Sequence, residues 1–403
     1  MQILGLLLDK MKILFAHFGI FEKGGWGRTF PIAEGLAKLG CNVTIVTTNP
    51  HLSFFIKRKI INNVIVLIFP DIVPQKITSK GFGFISLFLK IIYIVFKKFD
   101  IVQSDEGHRP QSGIICRIHK KIHKSKYVAE WWDWFGKGGM YERKSKLFKT
   151  VLGRYEIKYE IKDKLFADGV VVLSDLLMQR ALSLNIKGKI IKLHGGADVH
   201  KIPFLENNNF LKGKYGIDKN RVTFGYIDAM GHDIEEIKLL VDVVLKFKIE
   251  SKVKILLFGG AKFFEENLSK EIKEILINYG WINYSTDFEK LQCVDVFVLF
   301  KENSVANRAG WPNCLGDYLA CGRPILLNPV GEVIEFVNKY PKGFFVSTLS
   351  IESISKHVNF IIDHKSNLIT KGRINREIAE QEISWDKKSK ILYDFYKDLL
   401  LKE

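Results

Sequence analysis

Short apolar runs alternate with longer segments of helical period along the chain. The first half carries KILFAHF from Lys12, then NVTIVTT, NVIVLIF, DIVQS, YVAEWW, GVVVLS and IIKLHGG. These seven runs are separated by helix-length segments such as 28–39 and a Phe-rich stretch at 81–96, a beat that predicts β-α-β units and a parallel sheet. The stretch 201–219 mixes Pro, Asn, Gly and charge without a steady period and reads as a linker. Five more runs follow, VTFGYID, KILLFGG, DVFVLF, RPILLNP and GFFVS, with helical segments expected at 235–248 and 265–279. The pattern predicts an α/β chain of two Rossmann-like, doubly wound domains, residues 1–200 and 201–383. A closing amphipathic helix over 384–403 has Leu392, Phe395, Leu399 and Leu400 at helical spacing. Open α/β sheets bind ligands outside the carboxyl ends of their strands, so chemistry is expected in the loops that follow the strands, in a cleft faced by both domains.

Composition narrows the class. With 403 residues, 47% hydrophobic and 26% charged, the chain is neither disordered, collagenous nor a disulfide miniprotein. Lys and Arg number 61 against 44 Asp and Glu, a net charge of +17 that suits anionic partners or reflects a Lys-rich background. The basic residues are spread rather than gathered in one run, so no nucleic acid is expected as partner. Cys41, Cys116, Cys293, Cys314 and Cys321 form no Cys-x-x-Cys pair, which fits a reducing cytoplasm and no zinc site. The first ten residues, MQILGLLLDK, lack a basic start and a small-residue cleavage site and read as an extension ahead of the first strand. The stretch 81–96 is too short to span a bilayer and contains Lys90. Lys76, Lys80, Lys97 and Lys98 flank it, so it is either a helix packed on the sheet or one lying at an anionic membrane surface.

Four loops carry candidate chemistry. After the first strand, FGIFEKGGWGRTF sets Gly24, Gly25 and Gly27 ahead of a helix expected to open near Arg28 or Thr29. Their N–H groups and the Arg28 cation suit a phosphate or sugar, the alternative being an ordinary βα loop. The spacing departs from Gly-x-Gly-x-x-Gly, which argues against a nicotinamide cofactor. In QSDEGHRPQSG, Asp105, Glu106, His108 and Arg109 fall together. His108 is the candidate for proton exchange near neutral pH and Arg109 for clamping a carboxylate or phosphate, with a local ion pair as the alternative. In AEWWDWFGKGG, Glu130 and Asp133 sit among Trp131, Trp132, Trp134 and Phe135, which suits a sugar or a Trp-rich corner of the core. Gly136, Gly138 and Gly139 are expected to let this loop move. In NRAGWPNCLGDYLACGRPILL, Pro312 and Asn313 lie near the start of a helix expected to run to Ala320. That terminus, with Arg308 nearby, favours a pyrophosphate, and Asp317 further in suits a diol such as a ribose.

At these residues the chain resembles the family 4 retaining glycosyltransferases of GT-B fold. The most specific part is GWPNCLGDYLACG at Gly310–Gly322, followed by Arg323-Pro324, Gly331-Glu332 and Glu335; HGGAD from His194 and the Ser384-Trp385 pair are similar too. The resemblance implies two Rossmann-like domains facing a cleft, with the closing helix crossing back to the first. It implies transfer of a sugar from a nucleoside-diphosphate donor to a glycan or lipid-linked acceptor, with retention and without a bound metal or other cofactor. Residues and resemblance together assign Gly25, Gly27, Arg28, Gly225, Arg308, Pro312, Asn313 and Asp317 to the donor. They assign His108 and Asp133 to catalysis, and Arg109, Glu130 and Trp132 to the acceptor or sugar. Two positions depart from the family pattern. Ala309 stands at the first of its two glutamates, with Asp317 at the second, and GYIDAMGHD from Gly225 lacks the usual Arg and Lys, leaving His232. These departures keep open a catalytically silent binding or scaffold protein, and a nucleotide-sugar epimerase shares the two-domain layout. A lipid-linked acceptor would place the protein in the cytoplasm, peripheral on the inner face of the membrane.

Overall fold

The computed structural model describes residues 10–49, 55–228, 234–260 and 270–401. The leading extension and His232 lie outside them. The chain divides into two units. The first comprises residues 1–194, 309–311 and 385–403, and the second 195–308 and 312–384.

The first unit is built on one sheet of eight strands. They are β1 (Lys12–Ile20), β2 (Asn42–Asn49), β3 (Lys57–Ile61), β4 (Val64–Pro70), β5 (Ile101–Ser104), β6 (Lys126–Trp131), β7 (Gly169–Val172) and β8 (Lys189–Lys192). Their order is β3-β4-β2-β1-β5-β6-β7-β8. All pairs are parallel except β3 with β4. The apolar runs locate every parallel strand, because a parallel sheet covered on both faces needs continuous hydrophobic strands. They miss β3, KRKII, which is largely exposed at the sheet edge and has no apolar face to betray it. Along β1, Ile13 and Phe15 face one core layer while Leu14 and Ala16 face the other.

The second unit holds β9 (Val222–Asp228), β10 (Val253–Gly259), β11 (Leu276–Asn278), β12 (Val296–Leu299), β13 (Ile325–Leu327) and β14 (Phe344–Val346). The order is β11-β10-β9-β12-β13-β14, parallel throughout. Here β11 falls inside the expected helix 265–279, whose first five residues lie outside the described ones and whose Lys270–Ile275 is helical. The strand is three residues long, below the reach of a periodicity argument. In each sheet the order reverses at one place, β1/β5 in the first unit and β9/β12 in the second, and the crevice there is where such folds hold ligands.

The last helix, Trp385–Leu400, belongs to the first unit. Leu392, Phe395, Tyr396 and Leu399 complete the core layer that holds Ile13, Phe15 and Leu36. Ser389 donates to the Ile32 carbonyl at 3.2 Å, and a side chain at Gly35 would overlap Ser389, so this helix and the helix Trp26–Lys38 meet at their smallest residues. No helix among the described residues is long and apolar enough to cross a membrane.

Candidate functional site

At the β1/β5 reversal, the carboxyl ends of the two strands are joined by one carboxylate. Asp105 accepts from the N–H groups of Phe18 at 3.1 Å and Glu106 at 2.8 Å, and pairs with His17 Nδ1 on β1. Beneath this pair lies Lys90, from the helix Phe84–Val95, donating to Gln111 Oε1 at 2.6 Å. Complete burial pushes the Lys90 ammonium down to about 7 against the pull of Asp105 and Asp71. In the sequence Lys90 interrupts an apolar stretch. It is the inward face of that helix.

Above the pair sits a second buried group of charges. Arg109 donates to Glu106 Oε2 at 3.2 Å, and its Nη2 lies 3.5 Å from Glu156 on the helix Gly153–Phe166. His108 stands 3.5 Å from Glu106 and 3.7 Å from Glu156, its ring 4.5 Å from Phe135. Both His108 nitrogens, both Glu156 carboxylate oxygens and Arg109 Nη1 are buried without a hydrogen bond. Buried polar groups are almost always satisfied, so these atoms are the candidates here for contact with water or a ligand. The electrostatics reorder the expected roles. Burial, with Arg109, Lys164 and Lys144 nearby, holds His108 well below its usual value, so it stays neutral instead of exchanging protons near neutral pH. Glu106 is lifted by burial to about 7, against the pull of Arg109, and titrates there. Asp133, half-buried, is lifted by desolvation to about 6 despite Arg143.

The glycine-rich and tryptophan-rich loops meet. A side chain at Gly25 would overlap the Trp132 ring, whereas Gly27 faces open space. The helix opens at Trp26, two residues before the expected start. Arg28 and Glu130, expected to serve a donor phosphate and an acceptor, bind each other: Arg28 Nε donates to Glu130 at 3.0 Å and its Nη2 to the Leu193 carbonyl at 2.8 Å. Glu130 also accepts from Gln103 at 2.8 Å and from Trp132 Nε1. Both charges are buried and neutralised in place, so neither is displayed to a ligand; Arg28 Nη1 alone keeps an unused donor. Trp131 is wholly buried, and the Arg180 guanidinium lies 3.9 Å from the Trp134 ring centre. Gly136 and Gly139 are where they are because Glu160 and the Trp134 carbonyl crowd them, not to loosen the loop.

In the second unit, Gly225 is the fourth residue of β9, crowded by Val294 and Phe297, and so is a packing glycine rather than a donor ligand. The run VTFGYID is the strand its apolar pattern predicts. Helix Val305–Ala309 carries Arg308, which is exposed, and Gly331 is fixed as glycine because the Arg308 backbone crosses it. The next helix is Cys314–Ala320, seven residues, shorter than expected and beginning after Pro312 and Asn313. Asn313 is exposed, Pro312 and Asp317 half-buried. Two contacts place this helix. A Cβ at Gly316 would strike the Gly196 carbonyl of the HGGAD turn, and Tyr318 accepts from the Ile227 N–H at 2.9 Å at the end of β9, its ring stacked on Phe297. Ala309 clusters with the first unit, fully buried, its carbonyl accepting from Ser174 at 2.7 Å. A cavity of about 560 Å³ lined by Asp295, Arg323 and Lys365 opens at the other, amino ends of this sheet, and its charges are spent internally, as in Lys212 to Asp295 at 2.5 Å.

No family model matches the chain, and no curated protein does. Solved structures do. Sucrose-phosphate synthase from Thermosynechococcus elongatus superposes with a TM-score of 0.73 at 13% identity, covering 98% of this chain and 100% of that one. The fold is that of the GT-B glycosyltransferases. Anabaena HepE in complex with UDP and glucose gives 0.67 at 15% identity over 96% of this chain and 99% of that one. A glycosyltransferase from Rickettsia africae gives 0.66 at 17% over 98% and 100%. Within this GT-B chain the residues not foreseen are His17, Lys90, Lys144 and Glu156. For Glu156 a signal existed: Glu156, Glu160 and Asp163 recur at four and three residues, one buried stripe of carboxylates, each matched to an Arg from another element.

Proposed function

We propose that this protein is a glycosyltransferase that moves a sugar from a nucleoside-diphosphate donor to a glycan or lipid-linked acceptor with retention of configuration. The observation that carries the reading is the full-length superposition on GT-B enzymes, among them HepE solved with UDP and glucose. In this reading the second unit takes the donor. Asp317 accepts hydrogen bonds from the ribose diol, while Arg308 and the Asn313 N–H beside the start of the helix Cys314–Ala320 face the diphosphate. The first unit takes the acceptor, with Arg109, Glu156 and neutral His108 offering the unspent donors and acceptors described above and Glu106 beside them. Asp133 accepts the hydrogen bond of the attacking hydroxyl. The bond from the anomeric carbon to the diphosphate oxygen breaks, the bond to the acceptor oxygen forms on the same face, and the acceptor proton leaves with the diphosphate. Positioning and charge stabilisation are the protein's share. We place the reaction in the cytoplasm, where buried unpaired thiols such as Cys41, Cys116, Cys293 and Cys321 stay reduced.

A thermal-shift panel of UDP, GDP, ADP and CDP, with the monophosphates as controls, tests the donor side, because a ligand bound only by the folded state raises the unfolding midpoint. One diphosphate should stabilise the protein, and Asp317→Ala should abolish the shift. No shift with any of them refutes the donor assignment. Ala309, buried where the resemblance expects a glutamate, favours a second reading, a binding protein on the same fold. A diphosphate shift without turnover of any sugar carried on that nucleotide decides for it.

A further inference from the structure

The helix Phe84–Val95 has two faces of opposite purpose. At about 100° per residue, Ser86, Lys90 and Ile94 fall on one side and are buried against the first unit. Phe84, Phe88, Ile92 and the cap residue Phe96 recur every fourth position and span an arc of about 120° on the other side. These four are 72, 64, 42 and 79% exposed. Single exposed apolar residues mean little, but four in register on one helix form a contiguous patch of the kind that marks a docking surface.

The patch extends beyond the helix. Asp71 accepts from the Ser86 N–H at 3.1 Å, which sets the neighbouring Ile72, 76% exposed, beside the helix start. Phe82 meets the Phe148 ring at 6.5 Å, which brings in the helix Lys146–Val151 with Leu147 and Val151, 75 and 67% exposed. The charges around it are mainly basic. Lys76, Lys80, Lys97 and Lys98 are exposed, no acid occurs from Ile72 to Phe99, and Lys146 flanks Leu147. Lys80 is close enough to Lys144 for the two ammonium groups to repel, tying the two basic segments together.

We propose that this face, the Phe84–Phe96 stripe with Leu147 and its collar of lysines, docks the first unit onto an anionic lipid bilayer. Phenylalanines enter the headgroup boundary while lysines meet lipid phosphates, the division of labour of an interfacial helix. A second copy of the chain fits the face poorly, since it would bring lysine against lysine. Docking of this kind keeps a water-soluble fold at the surface where a lipid-linked acceptor resides, yet the inference stands on the surface alone.

Co-sedimentation of the full-length protein with phosphatidylcholine vesicles, with and without phosphatidylglycerol, tests it without nucleotide or sugar, so the result is independent of transfer. The protein should partition onto the anionic vesicles at least about tenfold more strongly than onto neutral ones, and less so at high salt. Phe84→Ser/Phe88→Ser and Lys97→Glu/Lys98→Glu should each lower that partition by roughly tenfold or more, with Phe96→Ser as an independent variant at the end of the helix. Unchanged unfolding midpoints in these exposed-site variants show that they fold. Equal partition onto both vesicles overturns the proposal. So does loss with the Lys variant but not with either Phe variant, which is adsorption by net charge. A dimer in light scattering that Phe84→Ser/Phe88→Ser dissolves, without vesicle binding, assigns the face to a second copy and overturns it too.

Discussion

Glu106 shows how burial, rather than residue type, sets a role. Its carboxyl is raised to about 7 from an ordinary 4.5, so the folded chain holds the proton more tightly than the unfolded one. The stability this contributes is complete below about pH 4.5 and is lost as pH rises through about 7. Glu106→Gln cannot ionise, so relative to the parent it should gain about 3 kcal/mol near pH 8 and nothing near pH 4. Lys90, lowered to about 7, contributes with the opposite sign, stability falling as pH drops through that value, but it is common to both proteins and cancels in the difference. Denaturant titrations at the two pH values decide, and an equal difference at both sinks the assignment. The sequence places Glu106, His108 and Arg109 in one loop after a strand, and that much is legible in it. It does not show that the loop is buried, because the covering group, Glu156, is supplied from a helix some fifty residues on. The pairing of Arg28 with Glu130 is hidden for the same reason: only the folded sheet brings them within 3.0 Å.

At the level of elements, the hydrophobic runs reveal the parallel strands because those strands must be apolar on both faces, and they are silent on β3 and β11, whose places at the sheet edges ask little of their sequence. Helix ends follow the same logic. Ser174 and Ser350 accept N–H bonds at the starts of their helices, whereas the Cys314–Ala320 helix has no side-chain cap and starts later than Pro312 suggested. The contact of the closing helix with Trp26–Lys38 is fixed by Gly35 against Ser389. Gly35→Ala should therefore destabilise the protein by about 2 kcal/mol or more, and Ser389→Gly in the same chain should recover much of that. A double-mutant cycle by chemical unfolding measures the coupling, expected on the order of 1 kcal/mol or more. Strict additivity would mean that the helices shift apart without cost.

For the whole molecule, two Rossmann-like units and a returning helix are readable from the alternation of runs, since that beat has few solutions. Where the boundary falls is less so: His194 and Gly195 part company inside HGGAD, a turn whose sequence carries no break. A chain ending at Ser384 tests the discontinuity of the first unit. Without the last helix it leaves the layer around Leu36 and Val43 open to water, and it should unfold at a markedly lower temperature in its first transition and self-associate, as scanning calorimetry and gel filtration will report. Retention of the parent's first transition would show the helix to be an accessory.

The same discontinuity reaches back to the ribosome. Domains ordinarily fold in the order in which they are made, but here the strands up to β8 are synthesised long before the residues that seal them. At about 5–20 residues per second, roughly 10 to 40 s pass between the emergence of Lys192 and that of Leu399. Over that interval the whole second unit is made while the first waits with an apolar layer uncovered, so nascent chains should depend on holding chaperones until the last helix emerges.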